Sequence, residues 1–369
     1  MKVALVYDHI NKIGGAERIL TALNELYPDA PIYTTVYNES TAPWAKKIKI
    51  IPSFLQKMPF AKKYHELYPG LPILAFETMS FKDYDIVISV TAGEAKGIIT
   101  SPQTLHICYC LTPTRYLWSH YFDYFPNHFF AAISLPFVAA LRLWDAFASN
   151  RPDAYVAISQ TVRKRISKYY RHDAHVIYPP IDVDKFKINN LKSKMRDESY
   201  FLCVSRLVDY KRLDIAIEAC NELKLPLKIV GIGLASKSLE KMAGPTIEFL
   251  GNLTDSELIE YYQGCRALLF PQEEDFGITA VEVLSCGKPV FGYKSGGAVE
   301  IIKEGITGEL FSPQSSEALV ELIHRVQHKK YDENVCRLEA ERFSKITFKK
   351  QFASLVVKEW EQFKKGNSI

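Results

Sequence analysis

Short apolar runs rich in β-branched residues alternate with longer helical patterns along this chain, and the alternation occurs twice. VALVY (3–7), IYTTVY (32–37), YDIVISV (84–90), LHICYC (105–110) and AYVAIS (154–159) form a first series. YFLCVSR (200–206), LKIVG (227–231), IEFLG (247–251), ALLFP (267–271) and PVFGY (289–293) form a second. Strands that are apolar throughout suit a sheet covered on both faces, and strands separated by helices pair in parallel. Two such series within 369 residues predict two doubly wound, Rossmann-like α/β domains. The break falls in YPPIDVDKFKINNLKSKMRDESY (178–200), which has paired prolines and no apolar period. The domains are therefore expected at 1–180 and 181–369. ITFKKQFASLVVKEWEQFKK (346–365) reads as an amphipathic helix with Phe348, Phe352, Leu355, Val356 and Trp360 toward one side, free to pack back on the first domain.

A net charge of +4 carries no nucleic-acid signature. The seven cysteines are scattered without metal-ligand spacing, so no metal site is expected and most should be core thiols in a reducing compartment. MKVALVYDHINKIGG lacks the order of a signal peptide, and the longest apolar stretch, AAISLPFVAALRLW from 131, is too short and too interrupted to span a bilayer. The expectation is a cytoplasmic protein.

Ligands of doubly wound domains sit where strands end and helices begin, and four such junctions carry unusual residues. DHINKIGGAER (8–18) brings Gly14 and Gly15 to a helix start, which suits phosphate approach as well as a plain turn. SRLVDYKRLD (205–214) sets Arg206 and Lys211 five residues apart, a natural clamp for a diphosphate. KIVGIGLAS (228–236) is a weak GxG; the acid a dinucleotide would need is represented only by Glu248, in a run that reads as a buried strand, which argues against NAD. In PQEEDFGITAVEVLSCGKPV (271–290) a helix from Ile278 would bury Ile278, Val281 and Leu284, with Glu282 sharing a face with Ile278 and Ser285 near the sheet edge. Glu274 would stand in the loop before Gly277. Two carboxylates opposite two cations suit a molecule with both hydroxyls and phosphates, as a nucleotide sugar has.

EEDFGITAVE resembles the E-x7-E motif of the retaining GT-B glycosyltransferases of glycosyltransferase family 4; SRLVDYKRLD resembles that family's diphosphate clamp and IGGAER its N-terminal glycine loop. The motifs come in family order across the whole chain, and LHICYCLTPTRYLWSHY (105–121) is similar to members that transfer mannose into surface polysaccharides. The resemblance implies a GT-B fold with two domains facing a central cleft, the first for the acceptor and the second for the donor. It implies a retaining, metal-independent hexosyltransferase with no cofactor, taking a GDP- or UDP-sugar (mannose first) to a glycan or lipid-linked acceptor. By position, Glu282 would bind the ribose and Glu274 the hexose, Arg206 and Lys211 would act on the departing diphosphate, and Gly14 and Gly15 would approach it. Phe276, Gly277 and Ile278, with Gly251 and Leu253 of GNLT near the base, would complete the donor site, and Arg115 and His120 would lie on the acceptor side. Leu111 stands where relatives are expected to have His, which puts assistance at the acceptor in doubt.

Asp83-Tyr-Asp85 and Asp182-Val-Asp184 match the D-x-D of metal-using transferases, but neither has the loop context and both read as surface aspartates. Glu274 and Glu282 as a glycosidase pair would leave the phosphate clamp unexplained. The competing readings are a GT-B sugar-nucleotide epimerase and a degenerate, non-catalytic sugar-nucleotide binder. SFLQKMPFAKKYHELYPGLPILAF (53–76) and residues 120–144 mix aromatics with cations, as a peripheral contact with the cytoplasmic face of a membrane would require.

Overall fold

The computed structural model describes residues 1–12, 14–119, 121, 128–186 and 199–366. The chain divides into two compact units, Met1–Pro180 with Phe348–Ile369, and Ile181–Thr347. Each is built on its own sheet.

In the first unit the described strands are β1 (Val3–Tyr7), β2 (Ile32–Thr34), β3 (Ile50–Pro52), β4 (Ile86–Thr91), β5 (Leu105–Cys110), β6 (Ala154–Ala157) and β7 (His175–Val176), ordered β3-β2-β1-β4-β5-β6-β7. Every pairing is parallel. The central strands β1, β4 and β5 are buried along their whole length, which is why they read as unbroken apolar runs. The helix Lys345–Gly366 packs Phe348 and Phe352 against Tyr109 of β5, with ring centroids 5.9 and 6.1 Å away. Trp360, expected on the same face, is half-buried.

The second unit holds β8 (Phe201–Val204), β9 (Leu227–Val230), β10 (Ile247–Gly251), β11 (Ala267–Phe270), β12 (Val290–Tyr293) and β13 (Gly308–Phe311), ordered β10-β9-β8-β11-β12-β13 and again parallel. The strand order reverses between β8 and β11, so the loops leaving these two neighbours diverge and open a crevice at their carboxyl ends. The helices Leu213–Leu223 and Ser316–Arg325 cover one face with Ile217, Leu319 and Leu322 in the core. Residues 187–198 of the expected linker lie outside the described residues.

Two local expectations need correction. Glu248 is exposed rather than buried, because β10 is an edge strand, and it pairs with Lys228 at 3.4 Å. Ile278, expected in the core, is half-buried, while Glu282 of the same helix, Ile278–Ser285, is 4% exposed. All seven cysteines are buried thiols. Among the described residues, no helix is long and apolar enough to cross a membrane.

Candidate functional site

At the switch point of the second unit, the loop after β8 carries Arg206 and a short turn of helix, Asp209–Lys211. Arg206 is exposed and donates from Nη2 to the Tyr210 hydroxyl at 2.8 Å. Lys211 is buried, its ammonium 5.0 Å from the centre of the Tyr210 ring and ion-paired with Glu274 Oε1. Glu274 stands in the loop after the neighbouring β11, its side chain a quarter exposed. The structure thus brings Arg206, Tyr210, Lys211 and Glu274 into one chain of contacts across the two diverging loops.

A lysine at 6% exposure needs a partner, since an unpaired buried charge is costly. Glu274 supplies it, so the pair ties the two loops together. Next to it, Gln272 is 2% exposed and, among the described residues, its Oε1 has no hydrogen-bond partner, an open acceptor at the base of the same loop. Glu282 lies deeper, where its Oε2 accepts a 2.8 Å bond from the buried Tyr262 hydroxyl. Gly277 caps the helix Ile278–Ser285 in the left-handed region, and buried Phe276 meets Phe343 edge-on at 5.4 Å.

The glycine turns on either side explain how the loops keep their course. Ser295-Gly296-Gly297 follows β12 and braces the Glu274 loop: Gly297 N donates to the Glu274 carbonyl at 2.8 Å and Ser295 Oγ to Glu273 Oε2 at 2.9 Å. A Cβ at Gly297 would collide with the Phe276 carbonyl. The GxG after β9 does the same for the clamp loop. Ser205 N and Leu207 N donate to Val230 and Ile232 carbonyls, and a Cβ at Gly231 would meet the Ser205 carbonyl. These contacts continue the strand pairing into the loop. Gly251 accepts from Gly231 N at 2.7 Å, and half-buried Leu253 precedes Thr254, which caps the helix Asp255–Gly264.

The first unit has its own switch point, between β1 and β4. Gly14 is the extended N-cap of the helix Gly15–Leu26, whose first turn holds Glu17. Glu17 is buried and accepts from the Tyr7 hydroxyl at 2.8 Å, and burial together with that carboxylate pushes the Tyr7 phenol well up. An acid already sits at this helix's positive end, where a phosphate would gain from the dipole. Beside it, Asp8 accepts from Thr91 Oγ1 (2.8 Å), Ala92 N (2.9 Å) and Ala95 N (2.9 Å), pinning the loop after β4. The His9 ring lies 3.9 Å from that of His65, tilted by 31°; burial, His65 and Lys12 hold the His9 imidazole down at about 3, so it is neutral at physiological pH.

Arg115 is half-buried in the loop after β5, and that loop is held from beneath. Thr114 Oγ1 and Trp118 Nε1 each donate at 2.8 Å to one oxygen of buried Asp145, which is paired with buried Lys96 at 2.6 Å. Tyr116 donates to Glu94 at 2.9 Å and Arg142 Nε to the Leu117 carbonyl at 2.6 Å. Leu111 opens this loop, half-buried. His120 lies outside the described residues. The motif reading did not find Tyr210, which lies within the clamp loop itself, nor Tyr262, Asp8, Asp145 or Lys96, whose roles depend on partners far away in the chain.

Residues 184–345 match the family described as Glycosyl transferases group 1, and residues 13–185 match Glycosyltransferase Family 4. The chain is 26% identical over 198 residues to an uncharacterized glycosyltransferase of Methanocaldococcus jannaschii, covering 51% of this chain and 55% of that protein. It is 27% identical over 213 residues to the O-antigen chain mannosyltransferase C of Escherichia coli, covering 54% and 57%. The matched region therefore spans little more than half the length of these relatives. Among solved structures, HepE of Anabaena in complex with UDP superposes with a TM-score of 0.73 at 20% identity, covering 97% of this chain and 100% of that one. The two matches together run from residue 13 to residue 345 on two parallel-sheet units, and the chain belongs to the GT-B glycosyltransferases of glycosyltransferase family 4.

Proposed function

We propose that the chain is a retaining hexosyltransferase, with mannose as the sugar and GDP-mannose as its donor, acting on a glycan or lipid-linked acceptor in surface polysaccharide or glycolipid synthesis. The observation that carries this reading is the Arg206–Tyr210–Lys211–Glu274 assembly at the β8/β11 switch point, cations and a carboxylate on facing loops. Arg206 and Lys211 take the diphosphate and stabilise the charge left on it as the bond to the sugar breaks, a role that preorganised donors in a partly dry site perform well. Glu274 orients the hexose while keeping Lys211 in place. Glu282, its rotamer fixed by Tyr262, accepts from the ribose hydroxyls. With these cations in position the reading calls for no metal and no cofactor. The E. coli relative's description as a mannosyltransferase supports the choice of sugar, and HepE's complex with UDP supports a nucleoside diphosphate donor.

The membrane face of the reading rests on the first unit. Phe60, Leu67 and Leu74 are exposed among Lys57, Lys62 and Lys63, and Phe137, Leu143 and Phe147 are exposed on the helix His128–Ala148, with Phe137 facing Gly70. Apolar side chains ringed by lysines suit an anionic lipid surface.

The test is thermal stabilisation by GDP, UDP and ADP in EDTA, followed by product analysis with GDP-mannose and a lipid-linked acceptor. A nucleotide at 100 times its dissociation constant adds about 2.7 kcal/mol. Stabilisation by GDP, with an α-linked mannoside formed in EDTA, is the expected result. A response to UDP alone would replace the donor, and a strict magnesium requirement would refute the metal-free clamp.

A further inference from the structure

The clamp occupies the carboxyl ends of β8 and β11. At the opposite end of the same unit lies a cavity of about 520 Å³ that the donor reading does not use. Its walls come from the residues that enter β11 and β12, Arg266 and Lys288, and from the stretch after the helix Ser316–Arg325, where His328, Lys329 and Lys330 stand, with Glu333 on the far side. Four cations and one carboxylate thus line it.

Each cation is placed differently. Lys288 is 6% exposed, its Nζ 3.7 Å from Glu333 Oε1, while the other oxygen of Glu333 already takes Arg337 Nη2 at 2.9 Å. Lys329 reaches Glu309 at 2.6 Å. Arg266 spends one donor on the Gln327 carbonyl at 2.6 Å and lays its guanidinium 5.4 Å from the centre of the Phe201 ring, which fixes the plane of the remaining donors. Among the described residues, neither Arg266 nor Lys330 has a carboxylate within ion-pair distance. A recess with this excess of positive charge repels a cationic guest, and an apolar one would have to desolvate the cations. It favours a compact anion whose several oxygens can take the Arg266 fork and lysine ammoniums together. The volume falls within the range of small-molecule sites and exceeds what one phosphate fills.

We propose that this cavity is a second anion site, for a small phosphorylated molecule with at least two negative charges, at the entry ends of the strands whose exits carry the donor loops. The inference stands on the cavity and its charges and does not depend on the donor reading. Two sources offer the same phosphoryl chemistry: a soluble metabolite and a phospholipid headgroup.

The experiment uses sodium pyrophosphate as probe and titrates it calorimetrically into the full chain carrying Arg206→Ala and Lys211→Ala, so that the clamp cannot contribute. If that variant does not fold, the wild-type chain saturated with the nucleoside diphosphate that stabilises it best serves instead. The expected result is one saturable site that weakens at least tenfold on adding Lys330→Glu and again on adding Arg266→Gln, and that weakens with salt. Lys330 is exposed, so its substitution leaves the fold and the wild-type clamp's nucleotide binding unchanged. In parallel, the same proteins are sedimented with vesicles of phosphatidylcholine and phosphatidylglycerol at 3:1. Pyrophosphate binding that Lys330→Glu removes assigns a soluble ligand. Vesicle binding that Lys330→Glu removes, without pyrophosphate binding, assigns a headgroup. Absence of both, or binding indifferent to Lys330→Glu and Arg266→Gln, overturns the proposal.

Discussion

Replacing Lys96 by Met should destabilise the first unit strongly, and the structure allows the cost to be graded against its partner. Lys96 and Asp145 are both almost fully buried and 2.6 Å apart. Removing one member of a buried pair leaves the other's charge uncompensated, at about 3–5 kcal/mol. Without Lys96, Asp145 still accepts from Thr114 and Trp118, so Lys96→Met belongs near the low end. Without Asp145, Lys96 keeps the Gly93 carbonyl and a long contact to Thr114, while the Trp118 indole loses its acceptor; Asp145→Leu belongs near the high end. The double substitution should cost less than the sum of the two, because no buried charge is then left alone. Urea unfolding followed by tryptophan fluorescence measures this cleanly. All four tryptophans, Trp44, Trp118, Trp144 and Trp360, belong to the first unit, so the signal does not mix in the second. Burial alone would lower the Lys96 pKa, and Asp145 beside it more than reverses this. A raised lysine pKa gives stability that is fully present below the unfolded value and lost only as pH rises through the folded one, so the effect should be the same at pH 7 and pH 9. The exposed pair Arg163–Asp173 is the control, and Arg163→Ala should change nothing measurable. A loss below about 1 kcal/mol for Lys96→Met, or strict additivity in the double variant, would refute the reasoning.

Other consequences follow from the two switch points. Lys211→Ala should slow transfer by about 2–4 kcal/mol of barrier, the scale for a lost charge-stabilising donor, and near-wild-type turnover would remove Lys211 from the mechanism. Glu282→Ala should weaken nucleotide binding, whereas Glu274→Ala should lower kcat more than affinity; equal losses of binding by calorimetry would dissolve that division of roles. Gly297→Ala should displace the Glu274 loop against the Phe276 carbonyl and cost about 1–3 kcal/mol, read from thermal unfolding of the second unit. His106 is fully buried and bonded to Ser89, and burial lowers its pKa to about 3. The unfolded chain then binds the proton first. Stability of the first unit should fall as pH drops from about 6.5 toward 3, by up to about 1.4 kcal/mol per unit for this residue, and His106→Asn should flatten the slope.

The central strands were legible because burial on both faces makes them apolar at every position, as in VALVY and LHICYC. β3, β7 and β13 were not: they lie at or next to sheet edges, are two to four residues long, and β3 contains a proline that only an edge tolerates. Of the second unit's residues singled out by motif, Lys211 and Glu274 meet, since the switch point brings the ends of β8 and β11 together, and Arg206 reaches them through Tyr210. What holds them was hidden. Tyr262 comes to Glu282 from another helix, and Asp145 reaches Lys96 from 49 residues away, so neither leaves a local pattern. How deeply Glu282 is buried is not set by periodicity: a helix buried on nearly all sides has no polar stripe against which to read an acid.

The helix Lys345–Gly366 has a consequence for synthesis. The second unit is one continuous stretch of chain, complete once Thr347 has been made, whereas the first unit requires residues on both sides of it. During translation the domain begun first is the one finished last. Until Phe348 and Phe352 emerge, Tyr109 lacks the rings that pack on it, leaving an apolar seam open to other nascent chains. A released chain ending at Thr347 should therefore display a protease-resistant second unit and a first unit still sensitive to cleavage.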